Sequence, residues 1–230
     1  MKGLVDMRHI ICEKVKNLRD LGGYQTKYGE TKFNKVFRSS VPYSLTKDEL
    51  KYFDNLNLTV IDLRTEEEVL KKKSVFDNNK YNYFNVVLKG ANIPKKEKDI
   101  APGYIEILDD YKQIRKVLEI IKNSKGSILY NCTSGKDRTG VITMLLMLIA
   151  GVTEDDIIVD YSISYIYLRE DIRKMHKENS NLPKFIGNSK LEYMEETLRL
   201  FKEKYTNIDN YMKVLGFTKD EVSEIRNKIF

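Results

Sequence analysis

The sequence predicts an α/β domain: a central, mainly parallel sheet of four to five strands flanked by helices, followed by an all-helical C-terminal part. Three observations predict it. Short β-rich runs alternate with helix-start signals over residues 1–132, and a strand–helix–strand order implies parallel pairing with helices on the sheet faces. Residues 133–230 carry helical patterning only. The 230 residues are 41% hydrophobic with 15 Tyr and 9 Phe, enough apolar material for one packed core. Domains average about 150 residues, so we read 1–230 as a single domain with a helical appendage.

The elements follow in chain order. Lys35–Ser39 is the first strand of the sheet. The helix N-terminus box, Ser or Thr followed three residues later by an acid, opens a helix at Thr46/Glu49. Leu58–Leu63 is the next strand, and Thr65/Glu68 opens the next helix. Tyr81–Leu88, rich in Tyr, Phe and Val, is another strand. Ile107, Tyr111, Ile114, Leu118 and Ile121 lie on one face of a long helix over about Tyr104–Lys122. Gly126–Cys132 is a strand. Val141–Val152 (VITMLLMLIAGV) is a buried helix, since twelve residues cannot cross a bilayer. Further boxes at Thr153/Asp156, Ser189/Glu192 and Thr218/Glu221 start the C-terminal helices. Residues 169–188, polar and holding Pro183 and Gly187, read as a loop or mobile lid.

Composition excludes several classes. Forty basic and 34 acidic residues leave a net charge of +6, which suits an anionic partner without choosing among phosphates, nucleic acid and lipid headgroups. No nucleic-acid-binding motif is present and the two charge signs are interspersed, so no nucleic-acid partner is expected. Two cysteines, Cys12 and Cys132, are too few for a disulfide scaffold. The N-terminal stretch MKGLVDMRHIICEKVKNLRD has no apolar core of signal-peptide length. These features predict a cytoplasmic protein without stable membrane insertion, secretion of a trimmed form being left open.

The chemistry concentrates in Ser127–Ile142, SILYNCTSGKDRTGVI. A short apolar strand leads into Cys132-Thr133-Ser134-Gly135-Lys136-Asp137-Arg138, and an apolar helix follows. A loop between strand and helix turns successive backbone N–H groups inward as an anion cradle. Cys132 at its start would be held as thiolate by those groups. Arg138 at its end would grip two phosphate oxygens. Gly135 lets backbone approach closely, and Thr139 can hydrogen-bond the sulfur. Arg38 and Asp62, each near the end of a predicted strand, face the same region if ligands gather outside the carboxyl ends of the strands. Asp62 would pair with Arg138 or Lys136 and Arg38 would add a phosphate contact, or both are ordinary ion-pair residues. No Cys/His spacing suggests a metal.

On Cys132-x-x-Gly-Lys-Asp-Arg-Thr-Gly140 the chain resembles the cysteine-dependent protein tyrosine phosphatase superfamily, in its bacterial tyrosine/dual-specificity, lipid-active branch. Asn17-Leu-Arg-Asp-Leu-Gly-Gly-Tyr24, Val36-Phe-Arg-Ser-Ser40, Val60-Ile-Asp-Leu-Arg-Thr-Glu66, Tyr193-Met and Leu215-Gly-Phe-Thr extend the likeness over nearly the whole chain. The resemblance implies a protein-tyrosine-phosphatase-type fold and a phosphoric monoester hydrolase that uses no cofactor. Its implied substrates are phosphorylated proteins (phosphotyrosine, with phosphoserine/threonine) or phosphoinositides. It also implies a phosphocysteine at Cys132, Asp137 as the acid, and binding through Thr133, Ser134, Gly135, Lys136, Thr139 and Arg138. The chain departs from the superfamily at Asn131, where a His usually precedes the cysteine. That substitution motivates an alternative: a weakly active or inactive phosphate- or phosphopeptide-binding module. Sulfurtransferases and arsenate reductases also carry cysteine loops, but the former do not require the Lys-Asp-Arg run and the latter usually need further cysteines.

Overall fold

A computed structural model of the chain describes residues 8–89 and 94–230; the first seven residues of the N-terminal stretch read above lie outside them. The elements in order are β1 (Arg19–Asp20), β2 (Gln25–Thr26), β3 (Gly29–Glu30), β4 (Val36–Ser40), α1 (Lys47–Asp54), β5 (Thr59–Asp62), α2 (Glu66–Lys71) and β6 (Asn82–Asn85). A 3₁₀ turn at Glu97–Asp99 leads into α3 (Ile100–Asp109), followed by α4 (Tyr111–Asn123), β7 (Ile128–Cys132) and α5 (Asp137–Ala150). The rest is helical: α6 (Glu154–Ser162), α7 (Ser164–Glu178), α8 (Leu191–Tyr205), α9 (Ile208–Val214) and α10 (Lys219–Asn227).

The sheet has five strands in the order β1-β4-β7-β5-β6. The β4–β7, β7–β5 and β5–β6 pairs are parallel, and the two-residue β1 is antiparallel at one edge. The four parallel strands are those expected from the sequence. The edge strand β1 and the small β2–β3 hairpin are not, because two-residue strands are too short to show a period.

β4 and β7 are buried at every position. Both sheet faces are covered, so adjacent apolar residues at the start of each strand, Val36 and Phe37 in β4 and Ile128 and Leu129 in β7, go to opposite sides. One face packs Ile61, Ile128 and Tyr130 against α3, α4, α5 and, beyond them, Leu198, Phe201, Tyr211 and Ile225 of the C-terminal helices. The other packs Phe37, Val60 and Leu129 against Phe53 of α1 and Phe76. The central helix α5 is apolar all round because it lies inside this sandwich, with every residue from Thr139 to Ala150 buried except the partly buried Leu148.

Three expectations about helices are corrected. The 104–122 helix is two: Asp110 (ψ 64°) leaves the helical region and its carboxylate caps α4 through the Gln113 N–H. The Ser189/Glu192 box does not form; Lys190 is the N-cap of α8, and Ser189 instead donates to the Ser162 carbonyl. Residues 169–178 continue α7, so only the stretch after Glu178 is loop. Thr46, Thr65, Thr153 and Thr218 cap their helices as expected.

Candidate active site

The carboxyl ends of β4, β5 and β7 place Ser40, Asp62 and Cys132 along one edge of the sheet. From there the chain makes the loop 133–136 and enters α5 at Asp137. Gly135 (φ +69°) sits where a Cβ would lie 2.4 Å from the Ser39 carbonyl group. No other residue fits there, because the backbone conformation and the space both exclude a side chain.

The loop's carbonyls are held from outside. The Thr133 carbonyl accepts the Val41 N–H at 3.3 Å. Asn17 Nδ2 donates to the Ser134 and Gly135 carbonyls at 3.3 and 2.8 Å, and Arg38 Nη2 donates to the Gly135 carbonyl at 2.8 Å. In a trans peptide N–H and C=O point oppositely. Fixing three carbonyls outward therefore turns the N–H groups of Ser134, Gly135 and Lys136 into the mouth of the loop, the cradle an anion needs.

Behind this wall lies a buried charge cluster. Asp160 of α6 pairs with Arg19 of β1 (3.0 Å) and with Arg38 of β4, all three no more than 3% exposed. Arg19 also donates to the Asn17 side-chain oxygen. Burial alone would raise the Asp160 carboxyl, but the two guanidinium groups overcome it and hold it below its usual value. The expectation that Arg38 touches phosphate is corrected. Its guanidinium is fully buried and bonded to Asp160 and Gly135, so it shapes the loop from beneath.

Asp62 is corrected as well. Both its carboxylate oxygens are taken by Arg64 (2.6–3.2 Å), two residues on, and one also accepts the Tyr83 hydroxyl at 2.9 Å. It is fully buried and pairs with neither Arg138 nor Lys136. In register beside Asn131, it lies on the sheet face opposite Cys132, since successive strand residues alternate.

The partner of Arg138 is Glu68. Its two carboxylate oxygens accept from the two terminal nitrogens of Arg138 at 2.7 Å each, and one also accepts the Thr133 hydroxyl. Arg138's bonds to Glu68 hold that carboxyl well below the ordinary range. Burial opposes the charge of Arg138, while the Glu68 bonds and the nearby Cys132 sulfur raise its proton affinity. Glu68 also closes the α2 capping box with Thr65. One residue thus starts a helix and orients the arginine.

Glu68→Gln keeps the box, since Gln serves as well at that position, but removes the charge. A hydrogen bond to a charged group is worth about 1.5–3 kcal/mol. We expect kcat/KM for an aryl phosphate to fall roughly 10–100-fold with thermal stability nearly unchanged. A variant within threefold of wild type would show that Arg138 needs no clamp.

The remaining predicted residues take these places. Cys132, at the end of β7, is 2% exposed and unpaired by disulfide. Lys136 is buried, donates to the Asn188 carbonyl at 2.7 Å and lies 3.2 Å from Asp137. Thr139 is buried, and its hydroxyl bonds neither sulfur nor any other partner among the described residues. Asn131, on the face away from Cys132, likewise finds no partner among them for either amide atom. Thr133, Ser134, Lys136 and Asp137 line a cleft of about 580 Å³ with Lys14, Lys16, Lys72 and Tyr43. On the other side of Lys136 and Asp137, Ile100, Tyr104, Ile107 and Phe185 wall an apolar cavity of about 230 Å³. Among the described residues no three His, Cys, Asp or Glu are grouped to hold a metal, and no helix is long and apolar enough to cross a membrane.

Sequence reasoning passed over Asn17, Arg19, Glu68 and Asp160 as site residues. Glu68 was visible only as a capping acid, and nothing local marks Asp160. The left-handed backbone of Asn17 (φ 56°), which suits Asn, leaves no signature in a single sequence.

A cysteine at a strand end, a loop with its backbone amides turned inward and an arginine at the first turn of a buried helix define an α/β domain of the cysteine-loop class. The model of the tyrosine phosphatase family matches residues 10–230, and the chain belongs to that family. A tyrosine-protein phosphatase of Nostoc commune is 26% identical over 190 residues, which are 74% of this chain and 65%, just under two thirds, of the relative's length. A putative tyrosine-protein phosphatase of Cupriavidus necator is 23% identical over 91% of this chain and 85% of its own. Among solved structures, the core catalytic domain of the PP-IP phosphatase Siw14 from S. cerevisiae is similar at a TM-score of 0.40 and 18% identity, covering 76% of this chain and 98% of that one.

Proposed function

We propose that this chain hydrolyses phosphate monoesters through a phosphocysteine on Cys132. The observation that carries the reading is the loop itself. Its carbonyls are bound outward, its amides face inward, and Arg138 at the first turn of α5 is clamped across the loop by Glu68. Preorganised donors aimed at the equatorial oxygens stabilise transferring phosphoryl groups.

In the first step the Cys132 thiolate attacks phosphorus, the S–P bond forms and the P–O bond to the leaving group breaks. The leaving oxygen takes a proton from the Asp137 carboxyl. In the second, a water gives a proton to the Asp137 carboxylate and its oxygen attacks phosphorus. The S–P bond breaks, inorganic phosphate departs and the thiolate returns. Asp137 suits both tasks because it opens α5 at the mouth of the loop with its side chain 44% exposed.

The two hollows that meet at Lys136 and Asp137 support the substrate range. The apolar cavity beside Tyr104 and Phe185 fits the ring of phosphotyrosine. The lysine-lined cleft fits a second anionic group, as on a phosphoinositide or an acidic phosphopeptide. A panel of phosphopeptides and phosphoinositides, run on wild type and Cys132→Ser, tests this range. Turnover of none of them by wild type would favour a binding module instead.

Asp137→Asn tests the acid. An alkyl leaving group needs the proton far more than nitrophenol does, because its oxyanion is much less stable. We expect a loss on the order of 10²–10⁴-fold with phosphoserine and a much smaller one with nitrophenyl phosphate. Equal slopes of log kcat/KM against leaving-group pKa in both proteins would remove Asp137 from the role.

A further inference from the structure

Asp137 does not stand alone at the mouth of the loop. The Tyr104 hydroxyl, from α3, donates to Asp137 Oδ1, and the Tyr161 hydroxyl, from α6, lies 2.6 Å from the Tyr104 oxygen. Both rings are buried, at 3% and 1% exposure, and pack edge to face with centroids 5.9 Å apart. Tyr161 also backs the first turn of α5: a Cβ on Gly140 would lie 3.1 Å from its ring. Two helices remote in sequence thus deliver a chain of two phenols to one carboxylate oxygen.

The direction of the chain follows from the groups. An ionised carboxylate only accepts, so Tyr104 donates to Asp137, and its oxygen is then free to accept the hydroxyl of Tyr161. We propose that Tyr104 is a positioning residue for Asp137: its phenol fixes Oδ1 against the protein and leaves Oδ2 to carry the proton toward the leaving group, with Tyr161 holding the phenol in place. This rests on Asp137 being the general acid. Burial pushes both phenols well above their ordinary value, with Asp137's charge adding to it, so both remain neutral donors.

The groups facing Asp137 are Lys136, 3.2 Å away on the loop, Arg138 beside it on α5, Tyr104 from α3 and Tyr161 from α6. Lys136 reaches Asp137 by charge and Tyr104 by a hydrogen bond. Losing the Tyr104 hydroxyl therefore frees the carboxyl to rotate.

Tyr104→Phe keeps the ring and its packing, so it tests the hydroxyl alone. We expect phosphoserine turnover to fall about tenfold and nitrophenyl phosphate turnover less than threefold. Tyr161→Phe should lower both in the same pattern, by less. In the Asp137→Asn background, Tyr104→Phe should cost nothing further. Equal losses on both esters, or full additivity with Asp137→Asn, would overturn the proposal. The control separates the two readings: if Asp137→Asn shows no leaving-group dependence, the acid assignment falls and this inference with it. If it does and Tyr104→Phe matches wild type, only the positioning role falls.

Discussion

Cys132→Ser is expected to lower kcat for an aryl phosphate to less than about one per cent of wild type, a loss of at least roughly 2.7 kcal/mol in transition-state stabilisation. Binding of inorganic phosphate or vanadate should persist. Both parts follow from the division of labour in the loop. In the proposed mechanism the amides of Ser134, Gly135 and Lys136 and the guanidinium of Arg138 bind the anion, and none of them depends on the sulfur for its orientation. Their restraints are Val41, Asn17, Arg38 and Glu68. In that mechanism the sulfur alone forms the covalent bond, and a serine hydroxyl at this position is a far weaker nucleophile. Stopped-flow turnover of nitrophenyl phosphate, with phosphate binding followed by calorimetry, checks both parts. A serine variant keeping more than one per cent of kcat would rule out the phosphocysteine, and one that no longer binds phosphate would show that the sulfur shapes the cradle.

Asp160→Asn is expected to destabilise the fold by about 3–5 kcal/mol, the cost of removing one partner from a buried charge pair. Here the penalty falls on two guanidinium groups, since Arg19 and Arg38 both turn to Asp160 and both are buried. Domains are stable by only about 5–15 kcal/mol, so the urea midpoint should drop sharply. A loss under about 1 kcal/mol would mean that the cluster relaxes onto other acceptors. Activity should suffer even in variants that stay folded, because an unpaired Arg38 no longer holds the Gly135 carbonyl. The pH dependence has a fixed sign. Asp160 binds its proton less tightly in the folded chain than in the unfolded one, whose carboxyl titrates near pH 3.9. Its contribution is therefore complete above about pH 4 and lost as pH falls through the lower folded value.

The parallel strands, most helix starts and the phosphate loop were legible in the sequence because each is written in neighbouring residues. Capping boxes need only two positions three apart, buried strands show as short apolar runs, and the cradle needs the contiguous Cys132–Arg138. The same locality explains the misses. A kink at Asp110 depends on one residue's backbone, and the edge strand β1 on pairing with β4 across intervening chain.

The sequence by itself determined which residues could do chemistry: a cysteine, an arginine, an aspartate and a glycine within seven positions, between a buried strand and a buried helix. Only the tertiary structure decided which charges serve them. Asp62 and Arg38 looked like site residues because strand ends gather at one edge, yet each is consumed by a nearer partner, Arg64 for one and Asp160 for the other. Glu68, Asn17, Arg19 and Asp160 emerged as the supports of the loop, and Tyr104 and Tyr161 as the neighbours of Asp137. The reason is physical. A buried charge must be matched wherever the chain brings an opposite one within hydrogen-bond reach, and that choice is made across separations such as the 122 positions between Arg38 and Asp160, where no local pattern in the sequence reaches.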